Sequence, residues 1–155
     1  MSFMFDTPRA DAIPTRSLIL GYLPIAPLVI AAVLVWFVGP LTLAFLITAA
    51  IYWSAILFFF LAGVRRGLSF FTDGGPQPAQ LLTMGLLFLL GLAVFIMPYA
   101  LIAVILCALG FAGVAVLDPR AAKRGEVPDF FRTLRPPQMS LAAASMVSMF
   151  LAMLF

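Results

Sequence analysis

The tract SLILGYLPIAPLVIAAVLVWFVGPLTLAFLITAAIYWSAILFFFLAGV, residues 17–64, contains no Asp, Glu, Lys, Arg or His. A second tract without these residues covers 74–117. An α-helix rises about 1.5 Å per residue and the hydrocarbon core of a bilayer is about 30 Å thick, so each tract is long enough for two crossings. The sequence therefore predicts an all-α integral membrane protein in which each tract forms a pair of helices.

The composition excludes an ordinary soluble domain. Of the 155 residues, 65% are hydrophobic and 10% are charged, whereas soluble domains are about 45–50% apolar and about 25% charged. The net charge of +3 does not indicate nucleic-acid binding, because the basic residues flank the apolar tracts as topology signals do. Cys107 is the single cysteine, so the chain cannot form an intrachain disulfide.

Turn signals divide the chain into five predicted spans. Gly39-Pro40 and Pro98-Tyr99 interrupt the two tracts near their middles. A fifth apolar stretch follows the polar segment after residue 117. The predicted spans are residues 17–38, 41–64, 81–97, 100–117 and 138–155, with an N-terminal tail at 1–16 and loops at 65–80 and 118–137.

The first span carries Pro24 and Pro27 near its start. We expect a kink there, with neighbouring helices satisfying the carbonyl groups that the prolines free. The stretch is about 22 residues long, whereas the apolar region of a cleaved signal peptide has about 7–15. We therefore expect a retained span and a short cytoplasmic tail before it.

Charge distribution predicts the orientation of the five spans. Successive connections between spans must lie on opposite sides of the membrane. The N-terminal tail and the loops at 65–80 and 118–137 therefore share one side, and they hold every basic residue. Under the positive-inside rule, the N-terminus is cytoplasmic and the C-terminus is outside. The nine basic residues are Arg9, Arg16, Arg65, Arg66, Arg120, Lys123, Arg124, Arg132 and Arg135.

The polar stretch DPRAAKRGEVPDFFRTLRPP, residues 118–137, predicts a short interfacial amphipathic segment. Its apolar side is expected to hold Phe130, Phe131 and Leu134. Its polar side, facing water and headgroups, is expected to hold Asp129, Arg132 and Arg135. The acidic residues here are either ligands of a metal-bridged lipid phosphate or members of a solvated loop with weak ion pairs; they are Asp118, Glu126 and Asp129.

Seven basic side chains near the predicted loops are candidates for contacting lipid headgroups or for determining the topology. They are Arg65, Arg66, Arg120, Lys123, Arg124, Arg132 and Arg135. The five spans themselves contain no acid or base, although proton relays and ion-coupled transporters usually place such groups inside the membrane. Without histidine, and with one cysteine, the chain also lacks the usual metal ligands and an activated nucleophile. We therefore expect no enzymatic activity, catalytic residue, metal or cofactor.

Small residues recur every four positions in the last span: Ser140, Ala144, Ser148 and Ala152. This spacing allows two helices to approach closely in lipid. The stripe faces either a partner protein or second copy, or the protein's own helices. Methionines occupy other faces of the same span and are typical of adaptable core or lipid-facing positions: Met139, Met146, Met149 and Met153.

Three groups of residues carry a family resemblance: Gly21 with Pro24, the stretch 56–67, and a set that follows the fourth span. That set is Asp118, Gly125, Pro128, Phe130, Phe131, Leu134 and Arg135. With them the chain resembles a family of small multi-span proteins of unknown function that includes the mitochondrial protein called transmembrane protein sixty-nine. The resemblance implies an inner-membrane protein of bacterial or mitochondrial type, and it implies no activity.

Three functions are compatible with these observations. The leading hypothesis is a non-enzymatic accessory or assembly subunit that packs against a larger inner-membrane complex or a second copy. A transporter of a small uncharged substrate is an alternative, with neutral polar contacts from Tyr22, Thr48, Tyr52, Ser54 and Thr83. A lipid-headgroup-binding protein is another, with contacts from Arg65, Arg66, Arg120, Lys123 and Arg124.

Overall fold

The computed structural model describes residues 15–72 and 74–155, apart from the side chain of Ser17, and these residues form six α-helices and no β-strand. The all-α prediction is confirmed, whereas nearly all of the predicted N-terminal tail lies outside the described residues. The helices are α1 Thr15–Tyr22, α2 Ala26–Leu34, α3 Pro40–Ser69, α4 Pro78–Ile96, α5 Ala100–Lys123 and α6 Phe131–Ala152. Of these, α3, α4 and α5 are long and apolar enough to cross a membrane.

Pro24 divides the first predicted span into α1 and α2, so the helix ends here instead of kinking as predicted. The N–H of Ile25 bonds to the carbonyl of Tyr22 at 2.9 Å instead of to that of Gly21. Two carbonyl groups at the break find donors on neighbouring helices: that of Gly21 accepts from the Gln138 side chain, and that of Pro24 accepts from Trp53 Nε1 at 2.8 Å. Helices α6 and α3 therefore hold the break in place, as expected for a proline in an apolar helix.

The bundle is built from two closely packed pairs, α3 with α4 and α5 with α6, and α2 packs on α6. Its centre contains fully buried Phe58, Phe111 and methionines, with the two phenyl rings 4.7 Å apart. Met139, Met146 and Met149 belong to this core. Large apolar side chains also cover the outside of all six helices. Such a surface is suited to lipid rather than water.

The connection between α5 and α6 is shorter than predicted. Helix α5 continues to Lys123 and α6 already begins at Phe131, so the predicted loop at 118–137 and the separate interfacial helix are wrong. Ala121 and Ala122 extend α5 because they pack against Val127 and Phe131 in a small apolar cluster. Helix α6 includes Pro136 and Pro137. The carbonyls that these prolines leave without a donor belong to the exposed residues 132 and 133, where solvent can bind them.

A glycine reverses the chain after α5. Gly125 has φ +72°, and its N–H bonds to the Ala122 carbonyl at 3.1 Å. The N–H of Glu126 bonds to the Ala121 carbonyl at 3.0 Å, which completes a Schellman motif. The positive φ favours glycine at this position. The turn directs Glu126 back into the protein, where its side chain is buried.

Candidate functional site

Four ionisable side chains are buried together at the end of the bundle where α3 and α5 end and α6 begins. This charge cluster consists of Arg65, Asp118, Glu126 and Arg135, which are 4%, 4%, 4% and 8% exposed. Helix α3 contributes Arg65, α5 contributes Asp118, the turn after α5 contributes Glu126, and α6 contributes Arg135. All described Lys and Arg residues lie at this end, which we name the basic end.

Asp118 bridges the two arginines of the charge cluster. Arg65 Nη2 donates to Asp118 Oδ1, and Arg135 Nε lies 3.3 Å from Asp118 Oδ2. Arg65 Nη1 also lies 4.0 Å from Glu126 Oε2, while the more exposed Arg124 donates to the same carboxylate. Two guanidinium groups therefore face two carboxylates, and the four side chains have no net charge.

Two glutamines connect the charge cluster to the remaining parts of the basic end. Gln80, on the first turn of α4, donates to the Glu126 carbonyl at 3.1 Å and to Thr72 Oγ1 at 2.9 Å. Gln138, on α6, accepts from Arg135 Nη1 at 3.4 Å and donates to the Gly21 carbonyl. Through these side chains the cluster links α1, α3, α4, α5 and α6.

The charges of the cluster are paired with one another. Arginine stays protonated at neutral pH, and the Asp118 carboxylate lies between the guanidinium groups of Arg65 and Arg135. Arg135 Nε and Arg65 Nη1 lie at ion-pair distances from carboxylate oxygens without making a hydrogen bond. Across residues 15–72 and 74–155, no group of three His, Cys, Asp or Glu residues is placed to hold a metal ion.

Burial of Arg65 and Arg135 contradicts part of the predicted headgroup surface. Both were expected at the membrane surface, and Arg135 was expected to face water. Helix α3 continues past Arg65, and α6 begins before Arg135, so both side chains point at Asp118 rather than outward. Asp118 and Glu126 are likewise buried rather than solvated. The other five candidates are exposed: Arg66, Arg120, Lys123, Arg124 and Arg132.

The small-residue stripe on α6 divides between two environments. Ser148 donates to the Ala32 carbonyl at 3.0 Å and accepts from Trp36 Nε1 at 2.9 Å, so this part of the stripe contacts α2. Ala152 is half-buried. Ser140 and Ala144, nearer the basic end, are exposed. The protein's own helices therefore cover only part of the stripe.

The neutral polar residues proposed for transport are dispersed. Thr48 and Tyr52 are exposed, whereas Ser54 is fully buried; Tyr22 and Thr83 are half-buried. Three of the hydroxyl groups donate to the carbonyl one turn earlier in their own helix, as threonine and serine often do in apolar helices. These residues do not form a common polar surface.

A cavity of about 190 Å³ lies beside the charge cluster, and we name it the α1–α3 cleft. Its walls come from α1 with the Pro24 break and from α3, and its floor comes mainly from α6. Most of the lining is apolar. Arg135 and Gln138 supply polar atoms where the cleft approaches the charge cluster.

Comparison with known proteins identifies a family for this chain. A family model described as protein of unknown function, DUF3429, matches residues 13–154. The chain belongs to the DUF3429 family. No curated protein and no solved structure matches it. The family match supports the resemblance to an uncharacterised family, and these comparisons give no support for the resemblance to transmembrane protein sixty-nine.

The inward-facing polar residues of this family member were not predicted from its sequence. Gln80 and Gln138 were assigned to a loop end and to the first position of a span, without a role. One signal was present in the sequence: Arg65 and Asp118 directly follow the two charge-free tracts. Because the two tracts end on the same side of the membrane in the five-span topology, opposite charges at these positions can meet.

Proposed function

We propose that this protein is a five-span, non-enzymatic accessory or assembly subunit that packs against a larger complex in the inner membrane. In this proposal α1 and α2 together form the first span, α6 forms the fifth, the N-terminus is cytoplasmic and the C-terminus is outside. The position of the described basic residues at one end of the bundle supports this orientation.

The outward face of α4 is the observation that carries the proposed role. Only 22% of the residues in its 18-residue apolar segment are buried, against 39% in α3 and 33% in α5. Bulky side chains on this face are exposed, including Leu82, Leu86 and Leu89. A Cβ added at Gly85 on the same helix would meet nothing within 4 Å. A helix with so little contact in its own bundle is suited to contacts with another membrane helix.

Purification in a mild detergent tests the proposal. We expect the affinity-tagged protein, extracted from its native membrane, to elute with a reproducible set of membrane proteins at near-integer ratios. Replacing Gly85 with Leu adds bulk to the α4 face at a position where an added Cβ meets nothing within 4 Å, and it should release those proteins. Recovery of the wild type only as a free monomer would contradict the proposed role.

Ala144→Leu tests whether the exposed part of the α6 stripe contributes to the same contact. Ala144 is exposed, so the free energy of unfolding should change by less than about 0.5 kcal/mol. The amount of copurifying protein should fall. Ala112→Leu is the matched control, because Ala112 is an exposed alanine on α5. Unchanged copurification in Ala144→Leu would remove this surface from the proposed interface.

A further inference from the structure

We propose that the α1–α3 cleft binds one membrane phospholipid with an anionic headgroup, with an acyl chain in the cleft and the phosphate at the basic end. This site is separate from the α4 face proposed to contact a partner. Its apolar walls include Leu20 and Pro24 beside the break, and Leu57 and Phe60 on α3. The volume of about 190 Å³ is below the roughly 300–1,000 Å³ of pockets that enclose a whole small ligand. It therefore suits one part of a longer molecule.

The position of α1 leaves the cleft open at its side. Helix α1 packs on α6 rather than on α3, and the residues at the opening, Leu20 and Phe60, are 67% and 58% exposed. In a bilayer this opening faces the lipid. Lipid acyl chains are thus the molecules with direct access to the apolar part of the cleft.

The inner end of the cleft provides polar groups suited to a phosphate or glycerol oxygen. The side chains of Arg135 and Gln138 are more than nine-tenths buried and line the cleft. The Arg135 guanidinium has its Nε 3.3 Å from Asp118 Oδ2, donates from Nη1 to Gln138, and stacks 4.5 Å from the centre of the Phe131 ring, so Nη2 is the nitrogen left for a lipid oxygen. A guanidinium binds phosphate oxygens through directed hydrogen bonds. Because Asp118 neutralises part of this charge, additional cations are needed to select an anionic lipid.

Two exposed arginines, Arg16 and Arg132, precede the cleft-lining residues Gly21 and Gln138 on α1 and α6. The contacts of Gly21 with Gln138 and of Ala32 with Ser148 show that α1–α2 and α6 run parallel. Arg16 precedes Gly21, and Arg132 precedes Gln138, by between one and two helical turns in each case. Both side chains are exposed. Their shared level gives the cleft a basic rim, and such rims attract anionic headgroups.

Native mass spectrometry tests the headgroup preference. The purified full chain is placed in nanodiscs of equal parts phosphatidylglycerol and phosphatidylcholine, released, and examined for retained lipid. We expect one phosphatidylglycerol per chain. The double variant Arg16→Gln/Arg132→Gln should retain at least about fivefold less of it, because two surface cations are lost. The matched control Arg120→Gln/Lys123→Gln loses the same charge from exposed positions on α5 and should retain the wild-type amount.

Closing the mouth of the cleft tests the acyl-chain site. Leu20→Trp adds bulk at the opening, whereas Ile19→Trp adds the same bulk at an adjacent exposed position that does not line the cleft. Only Leu20→Trp should lower lipid retention, again by about fivefold, with both variants unfolding at the wild-type temperature. Equal retention of the two lipids by the wild type, equal losses in both double variants, or full retention in Leu20→Trp would each overturn the proposal. These measurements use the isolated chain, so their outcome does not depend on the proposed accessory role.

Discussion

The two ends of the bundle are held together by different interactions. At the basic end, ion pairs and amide hydrogen bonds join five of the six helices around Asp118. The opposite end contains the turns at Gly39-Pro40 and Met97–Tyr99 and, among residues 15–72 and 74–155, no charged residue. There, and through the middle of the bundle, the helices meet mainly through apolar and small side chains, with Gly91 and Gly110 at close approaches. The polar contacts in this part are single hydrogen bonds such as those of Ser148 with Trp36 and Ala32.

This difference follows from the cost of charge in each environment. An ionised group in hydrocarbon is expensive to bury, whereas near the membrane surface the local water reduces that cost. Apolar contacts gain little in lipid from the hydrophobic effect, because lipid is as apolar as the side chains, so close packing must supply the attraction. At the basic end, specific ion pairs and hydrogen bonds thus favour one arrangement of the helices. In the rest of the bundle, the shapes of the packed side chains determine the distances between the helices.

Asp118→Ala is expected to have the largest effect on stability, because it removes the carboxylate that Arg65 and Arg135 share and leaves both arginines buried without it. Removing one partner from a buried ion pair costs about 3–5 kcal/mol. We expect a loss of that size in the free energy of unfolding, measured in mixed micelles with increasing SDS. Asp118→Asn retains the side-chain volume and one acceptor oxygen, so it should fold better than Asp118→Ala and remain weaker than the wild type.

Asp129→Ala is the control for this prediction. Asp129 is exposed and lies on the same side of the bundle, and substitution of an exposed residue usually changes stability by less than about 0.5 kcal/mol. If Asp118→Ala and Asp129→Ala destabilise the protein equally, the charge cluster does not hold the basic end together.

Gly110→Ala tests the close packing of helices away from the basic end. A Cβ at this position would lie 2.5 Å from Leu90 Cδ2 and 2.6 Å from Phe58 Cζ. Phe58 is fully buried and stacked on Phe111, so it has little room to move. Gly113→Ala on the same helix meets nothing within 4 Å and has the same change in helix propensity. We expect Gly110→Ala to be less stable than Gly113→Ala by about 1–3 kcal/mol, the usual cost of overpacking.

Equal unfolding free energies for these two glycine variants would contradict the close approach of α5 to α3 and α4. A difference that appears only when Asp118 is also replaced would show that the two ends are coupled. Additive effects would indicate that the charge cluster and the glycine contact act independently, as expected for sites without shared partners.

Several features of the fold were accessible from the sequence because they follow from local rules. The turns at Gly39-Pro40 and Pro98-Tyr99 and the start of α4 near residue 80 agree with the structure to within a few residues. Proline and glycine determine these positions through backbone geometry alone. At Pro24 the sequence predicted a kink, whereas the structure ends α1 at Tyr22 and begins α2 at Ala26. The predicted satisfaction of carbonyl groups by neighbouring helices is present there, from Gln138 and Trp53.

These local sequence rules did not predict the charge cluster. Arg65, Asp118 and Arg135 were interpreted as surface residues because charge at the end of a span usually faces headgroups. Their burial depends on α3 and α5 extending past the apolar tracts, and on Gly125 turning Glu126 inward. Those extensions depend in turn on contacts such as Ala121 and Ala122 with Phe131. Contacts between residues distant in sequence therefore decide which charges are buried.

Trp53→Phe is expected to have a smaller effect, and it tests whether side-chain hydrogen bonds also act away from the basic end. The indole N–H of Trp53 donates to the Pro24 carbonyl at 2.8 Å, a group that the helix break leaves without a backbone donor. Its loss should reduce the free energy of unfolding by about 1 kcal/mol, the net value of one hydrogen bond. Trp36→Phe removes the same group from a half-exposed indole whose acceptor, Ser148, keeps its bond to Ala32, so it should cost less. If Trp53→Phe costs no more than Trp36→Phe, the hydrogen bond from Trp53 does not stabilise the break between α1 and α2, and Gln138 on α6 is the side chain that holds it.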